Sequence, residues 1–238
     1  MQCIVAEIGF VCVATEATND ALIDLNGVPA DQQANISVTQ TPGGTIVTNT
    51  GSTSGLLTFV EGNTQFTGGQ LNNCTFRFAP SPGGAPTLGF NGTVLNGGTI
   101  TGDAGTQSLN VGGIDPLAKR RTTKTVVTDT TSNLGGGSDS VSFFKRSDTR
   151  NSSFTTGGGA DSVTFAKGSK SRNVTVDLGQ GDNAADRVQI VNKSSAKKLN
   201  ITNFGQEDSL VVGKRTYTYD QLQARDGRVS NNIQVDFS

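Results

Sequence analysis

Four times between Leu134 and Val212 the chain repeats one phrase: a glycine-rich turn, an aspartate, then an alternating strand. The first two copies are Leu134-Gly135-Gly136-Gly137-Ser138-Asp139-Ser140-Val141-Ser142-Phe143 and Thr156-Gly157-Gly158-Gly159-Ala160-Asp161-Ser162-Val163-Thr164-Phe165. The third is Leu178-Gly179-Gln180-Gly181-Asp182, an insertion, and Asp186-Arg187-Val188-Gln189-Ile190. The fourth is Phe204-Gly205-Gln206-Glu207-Asp208-Ser209-Leu210-Val211-Val212. The aspartates step by 161−139 = 22, 186−161 = 25 and 208−186 = 22 residues, the long step absorbing the insertion. A fixed period of this length marks stacked coils, each too thin to bury its apolar face alone.

Between the glycine turns lies a second, basic turn: Phe144-Lys145-Arg146 with Arg150, Ala166-Lys167 with Lys170 and Arg172, Asn192-Lys193 with Lys197-Lys198, and Gly213-Lys214-Arg215. A second short strand follows it, as in Val174-Thr175-Val176 and Leu199-Asn200-Ile201. Val141 and Phe143 share one face, as do Val163 and Phe165, and Val188 and Ile190; this is strand periodicity with the apolar residues inward. The expected object is a two-sheet parallel β-solenoid of about four coils, ~20 Å long at ~4.8 Å per coil, capped at both ends.

Stacking brings equivalent aspartates ~4.8 Å apart, where each charged pair repels by roughly 3–4 kcal/mol at an effective dielectric of about 20. A hard cation would offset this, because carboxylates and turn carbonyls are calcium ligands. Here the chain resembles the haemolysin-type (RTX) calcium-binding repeats, whose nonapeptide is G-G-x-G-x-D-x-U-x. Gly135-Gly136-Gly137-Ser138-Asp139-Ser140-Val141 and Gly157-Gly158-Gly159-Ala160-Asp161-Ser162-Val163 carry the likeness, and Gly179-Gln180-Gly181-Asp182-Asn183 matches more loosely. The resemblance implies calcium along the edge bearing Asp139, Asp161, Asp182, Asp186 and Asp208. The family carries glycine turns on both edges; here one edge is basic, so calcium is expected on the aspartate edge alone. The alternative is that Asp139, Asp161 and Asp208 make Asx turns to their own backbone.

Composition narrows the chemistry. There is no His among the 238 residues, which removes a histidine triad and histidine-based zinc sites. Cys3, Cys12 and Cys74 are odd in number and lack metal-ligand spacing; three reduced thiols are favoured over one disulfide with a free thiol. The net charge of −1 gives no general pull toward nucleic acid or anionic membrane. The apolar run near the N-terminus, Ile4 to Ala14, is interrupted by Glu7 and follows no basic segment, so residues 2–14 read as a buried strand, central or at an interface, rather than a signal peptide or a membrane span.

Residues 1–114 read as a β-rich attachment or assembly module with one short helix, capped by Thr15, carrying Ala17, Ala21, Leu22 and Leu25, and stopped by Asn26-Gly27 and Pro29. Paired glycines at Gly68-Gly69, Gly83-Gly84, Gly97-Gly98 and Gly112-Gly113 separate strand-like pieces, which favours an antiparallel meander over a second, smaller solenoid. Residues 115–125 read as a linker with the charge run Lys119-Arg120-Arg121. Residues 126–238 read as solenoid plus cap, the cap comprising Thr216 to Tyr219, a helical turn from Asp220, and Ile233, Val235 and Phe237 alternating in a closing strand.

The fold class is therefore all-β. The functional reading is a non-enzymatic structural or adhesion protein on a virion or other extracellular surface, of the capsid-decoration or fibre-base type. It would assemble with neighbouring structural subunits, as a homo-oligomer or larger assembly. The basic edge formed by Lys145, Arg146, Lys167, Lys170, Lys193, Lys197, Lys198, Lys214 and Arg215 would meet an acidic polysaccharide or an acidic protein. The alternatives are a small calcium-binding RTX-like protein exported without a cleaved signal and, more distantly, a solenoid carbohydrate-active enzyme using Asp139 and Asp161.

Overall fold

The computed structural model describes residues 2–6, 9–13, 21–79, 84–113, 123–181 and 183–237. The protein is an all-β solenoid of about seven turns with a period near 23 residues. In the first sheet, eight strands from Gly44–Asn49 to Ser209–Val212 stack in parallel. Thr45, Thr64, Leu88, Leu109, Val141, Val163, Val188 and Leu210 are successive register partners in one buried column. Two residues on runs a second column, Val47, Phe66, Phe90, Val111, Phe143, Phe165, Ile190 and Val212. Residues between the columns, such as Ser142 and Thr164, are more exposed, as two-residue alternation requires.

The second sheet holds two parallel rows. One starts at Ser52–Ser54 and the other at Leu57–Val60, and the long strands Ser147–Thr155, Lys170–Asp177 and Ser195–Phe204 span both. The rows meet at a bend where the chain takes a left-handed residue in every coil: Gly55, Asn73, Gly97, Asp129, Asn151, Asn173 and Lys198. Asparagine and glycine tolerate this conformation best, and they fill five of those seven positions. Each coil thus has three corners. Phenylalanines from both sheets fill the interior. Phe143 stacks on Phe165 with centroids 4.6 Å apart and meets Phe154 edge-on at 5.0 Å; Phe76 meets Phe66 and Phe90 in the same edge-on way.

Two expectations about the stack change. The coil count of four misses the coils that lack the Gly-Asp phrase. The stretch taken for an antiparallel meander is the same solenoid: Gly44–Asn49, Asn63–Thr67, Thr87–Asn91 and Ser108–Val111 pair in parallel. The glycine pairs mislead because they fall on different corners in turn. Gly68-Gly69 and Gly112-Gly113 follow first-sheet strands, Gly97-Gly98 lies at the bend, and Gly84 precedes a first-sheet strand. Each step therefore passes two of three corners and is shorter than a coil. Residues 114–122 lie outside the described residues, and so does most of the expected linker. The strands on either side of it pair directly, Leu109 with Val141 and Ile100 with Ser132.

The N-terminal segment also differs. Gln2–Ala6 and Gly9–Val13 form an antiparallel pair rather than one strand, and Gln2–Ala6 ends the strand order at an edge, which excludes for it the central one of the two expected positions. Thr15 and Ala17 lie outside the described residues, but Leu22–Asp24 is a strand, antiparallel to Leu57–Val60, with Ile23 buried. Among the described N-terminal residues the helix is Ala30–Gln33. Pro29 precedes this helix rather than ending an earlier one, consistent with proline's fixed φ and missing N–H at a helix start.

The C-terminal cap follows expectation. Arg215–Tyr217 turns back antiparallel on Ser209–Val212. Helix Tyr219–Gln223 begins after Thr218, whose N–H donates to Gln221 Oε1, and buries Leu222. Ile233–Phe237 closes the second sheet beside Ser195–Phe204.

Candidate functional site

The aspartates of the repeat form a buried column on one corner. Asp139 and Asp161 are each 2% exposed, Asp186 3% and Asp208 5%. Asp208 holds its own turn through Oδ2, which accepts the Gly205 N–H at 2.7 Å, while the Oδ1 atoms of all four bond between coils. Each accepts the main-chain N–H of the equivalent residue one coil earlier: Gln107 to Asp139 at 2.6 Å, Asp139 to Asp161 at 2.7 Å, Asp161 to Asp186 at 2.7 Å and Asp186 to Asp208 at 2.9 Å. A charge-assisted bond to each amide offsets part of the repulsion along the column. The neutral Gln107 heads the column, and its side-chain amide donates to Asp103. Burial pushes the Asp139 carboxyl up to about 7; the Gln107 N–H pulls the other way, and the charges of Asp161 and Asp103 add to the rise. Asp139 Oδ2 has no hydrogen-bond partner among the described residues. Among those residues no group of three or more His, Cys, Asp or Glu side chains is placed to hold a metal ion. Asp182 lies outside them.

The glycines of the phrase make the column's tight corner. Gly135, Gly157 and Gly179 all have positive φ and lie one above another. A Cβ on Gly157 would fall 1.7 Å from the Gly135 carbonyl oxygen, and one on Gly179 1.8 Å from that of Gly157. The Gly-x-Gly spacing is thus a packing requirement between coils.

The basic residues divide into two groups. Lys145, Arg146, Lys167 and Lys193 sit on the turn leaving the first sheet, all exposed. This turn repeats its hydrogen bonds in each coil: Ser147, Ser169 and Ser194 donate both N–H and Oγ–H to the carbonyls of Phe144, Ala166 and Val191. Arg146, Gly168 and Lys193 hold its left-handed position. Lys214 lies in the hairpin turn between Ser209–Val212 and Arg215–Tyr217, and Arg215 opens the second of these strands. The second group lies on the second sheet. Arg150, Arg172 and Lys197 are direct register partners, and Lys170 stands beside them between Asp148 and Ser195. Lys198 occupies the bend. Equivalent positions in earlier coils are neutral: Asn72, Asn96 and Thr128.

Asp148 is the acidic member of this face. It is buried, receives Arg150 through Nε at 3.0 Å and Nη2 at 2.6 Å, and receives Lys124 at 2.6 Å. The Arg150 hydrogen bonds hold its carboxyl well below the usual carboxylate range against the opposing effect of burial, with Lys124 adding to the depression. Beside the basic row, the bend forms two contiguous clefts of about 420 and 600 Å3 that share Asn173 and Thr175. Asn151 and Ser153 line one, Asn200 and Asn232 the other. Asn173 Nδ2 donates to Asn151 Oδ1 at 3.1 Å, linking the amides of two successive coils along the groove.

The expected site residues thus divide into a buried acidic corner and an exposed basic face on different parts of the coil. The Arg150–Arg172–Lys197 row follows from register, which the basic-turn pattern signalled only by proximity. The amide groove was not anticipated; its signal was an asparagine at 22-residue spacing, Asn151 and Asn173. No protein-family model matches the chain, and neither a curated protein nor a solved structure matches it.

Proposed function

We propose that this chain is a non-enzymatic structural or adhesion protein of an extracellular or virion surface, and that its solenoid presents a binding face to an acidic polysaccharide. The observation that carries this reading is the register of Arg150, Arg172 and Lys197 beside the amide and hydroxyl groove at the bend. Cations recurring at every ~4.8 Å rung suit a polymer whose own charges recur along its length. Amides and hydroxyls beside them suit sugar hydroxyls. Aromatic stacking platforms, which single-stranded nucleic acid exploits, have no counterpart among the groove-lining residues named above. In this reading the aspartate column is a hydrogen-bonding device of the coil, and neighbouring subunits of the same surface supply the assembly.

The test is binding to a sulfated and to a carboxylated polysaccharide over a salt series. Arg172→Ala with Lys197→Ala removes two exposed charges, and we expect affinity to fall about tenfold, ~1.4 kcal/mol, with a shallower salt dependence. Wild-type affinity retained in the double variant, or binding indifferent to salt, would remove this face from the function.

A further inference from the structure

One column of the second sheet crosses the whole molecule. Val235, Ile201, Val176, Phe154, Ser132, Ile100, Phe76 and Thr58 are successive register partners, and all are buried. The column continues past the first coil through Ile23, which pairs with Thr58, to Cys12, which pairs with Ile23. It ends at Cys3, directly opposite Cys12 in the antiparallel pair Gln2–Ala6 and Gly9–Val13. Two cysteines are therefore register partners at the edge of the sheet. Directly opposed residues of an antiparallel pair have Cα atoms about 4.5 or 5.5 Å apart, and both distances lie inside the range of about 4.4–6.8 Å that a disulfide spans. The third cysteine does not compete. Cys74 is buried inside the solenoid, and its Sγ lies 3.5 Å from the Asn72 carbonyl oxygen in a hydrogen bond.

We infer that Cys3 and Cys12 form a cross-strand disulfide that fastens the edge strand to the N-terminal end of the solenoid. The bond forms by thiol–disulfide exchange with a small-molecule disulfide such as oxidised glutathione. One cysteine thiolate attacks the oxidant, releasing one glutathione thiol and leaving a mixed disulfide. The second cysteine thiolate displaces the other glutathione, so two protein thiols are oxidised and one oxidant disulfide is reduced to two thiols. The Cys12 rung carries both bonds of the hairpin, to Cys3 on one side and to Ile23 on the other, so the link ties the outermost strand to the point where its partner joins the stack.

The test uses the full chain equilibrated in oxidised and then in reduced glutathione, unfolded in alkylating reagent, and weighed intact. The expected oxidised form takes one alkyl group and the reduced form three, matching the three cysteines. Peptide mapping should join the segments containing Cys3 and Cys12. Cys3→Ser and Cys12→Ser should each take two alkyl groups under both conditions, while Cys74→Ser should take none when oxidised. Three alkylatable thiols in the oxidised wild type, a glutathione adduct on either residue, or a link that includes Cys74 would each overturn the inference.

Discussion

The main-chain N–H of Asp139 donates to Oδ1 of Asp161 at 2.7 Å, joining aspartates 22 residues apart in the chain and one coil apart in space. The carboxylate is thus the acceptor for a neighbouring coil's amide. Asp161→Ala should leave the buried Asp139 N–H without its acceptor and cost about 1–3 kcal/mol in urea unfolding. Asp161→Asn keeps an Oδ1 acceptor and removes a charge, so it should stay within about 1 kcal/mol of wild type. The same melts run with calcium and with chelator should coincide. A calcium-dependent melt that the Asn variant loses would make the column an ion site instead.

Asp139 gives the fold a pH dependence with a defined sign. Its carboxyl titrates near 7 in the folded protein, against about 3.9 in an unfolded chain. The folded state therefore holds the proton more tightly. The stability this contributes is full below ~3.9 and is lost as pH rises through 7, at up to about 1 kcal/mol per pH unit between the two values. Asp139→Asn lacks this titration. Its stability advantage over wild type should be largest near pH 8 and shrink toward pH 5; parallel curves for the two proteins would refute the assignment.

Gly157 and Gly158 are adjacent yet should respond oppositely to alanine. Gly157 has φ of 102° and lies against the Gly135 carbonyl, whereas a Cβ on Gly158 would meet nothing within 4 Å. Gly157→Ala should cost at least ~2–3 kcal/mol through backbone strain and steric overlap, and Gly158→Ala should be nearly neutral. Equal thermal midpoints for the two variants would show that the coils are not stacked at this corner.

What the sequence made legible follows from which interactions are local. Val141-Ser142-Phe143 and Val163-Thr164-Phe165 alternate within a few residues, and each announces a strand with its inward face. The N-terminal coils hide the same column because Thr45 and Thr64 occupy it, and buried threonines break the apolar pattern. Leu22 and Leu25 fit a helical spacing as well as Leu22–Asp24 fits a strand, and only pairing with Leu57–Val60 decides between them. The site shows the same division. Gly-x-Gly-x-Asp marks a turn from its residues alone, but the acceptor role of Asp161 depends on a coil 22 residues away. Likewise, the alignment of Arg150 with Arg172 and Lys197 depends on bends at Asn151, Asn173 and Lys198, a conformation uncommon enough for lysine that composition gives no warning of it.

The aspartate column also has a polarity. Every amide in it is completed by the carboxylate of the coil that comes next, never by the one before. Asp208 ends the series by folding back on its own turn: its N–H donates to the Gly205 carbonyl at 3.3 Å, and its Oδ2 accepts the Gly205 N–H at 2.7 Å. During synthesis, then, each of these coils lacks the acceptor for its corner amide, as well as its ladder partners, until its successor has left the ribosome. Closure trails emergence by one coil, and the self-satisfied turn at Asp208 acts as the terminator that lets the series finish without a further repeat.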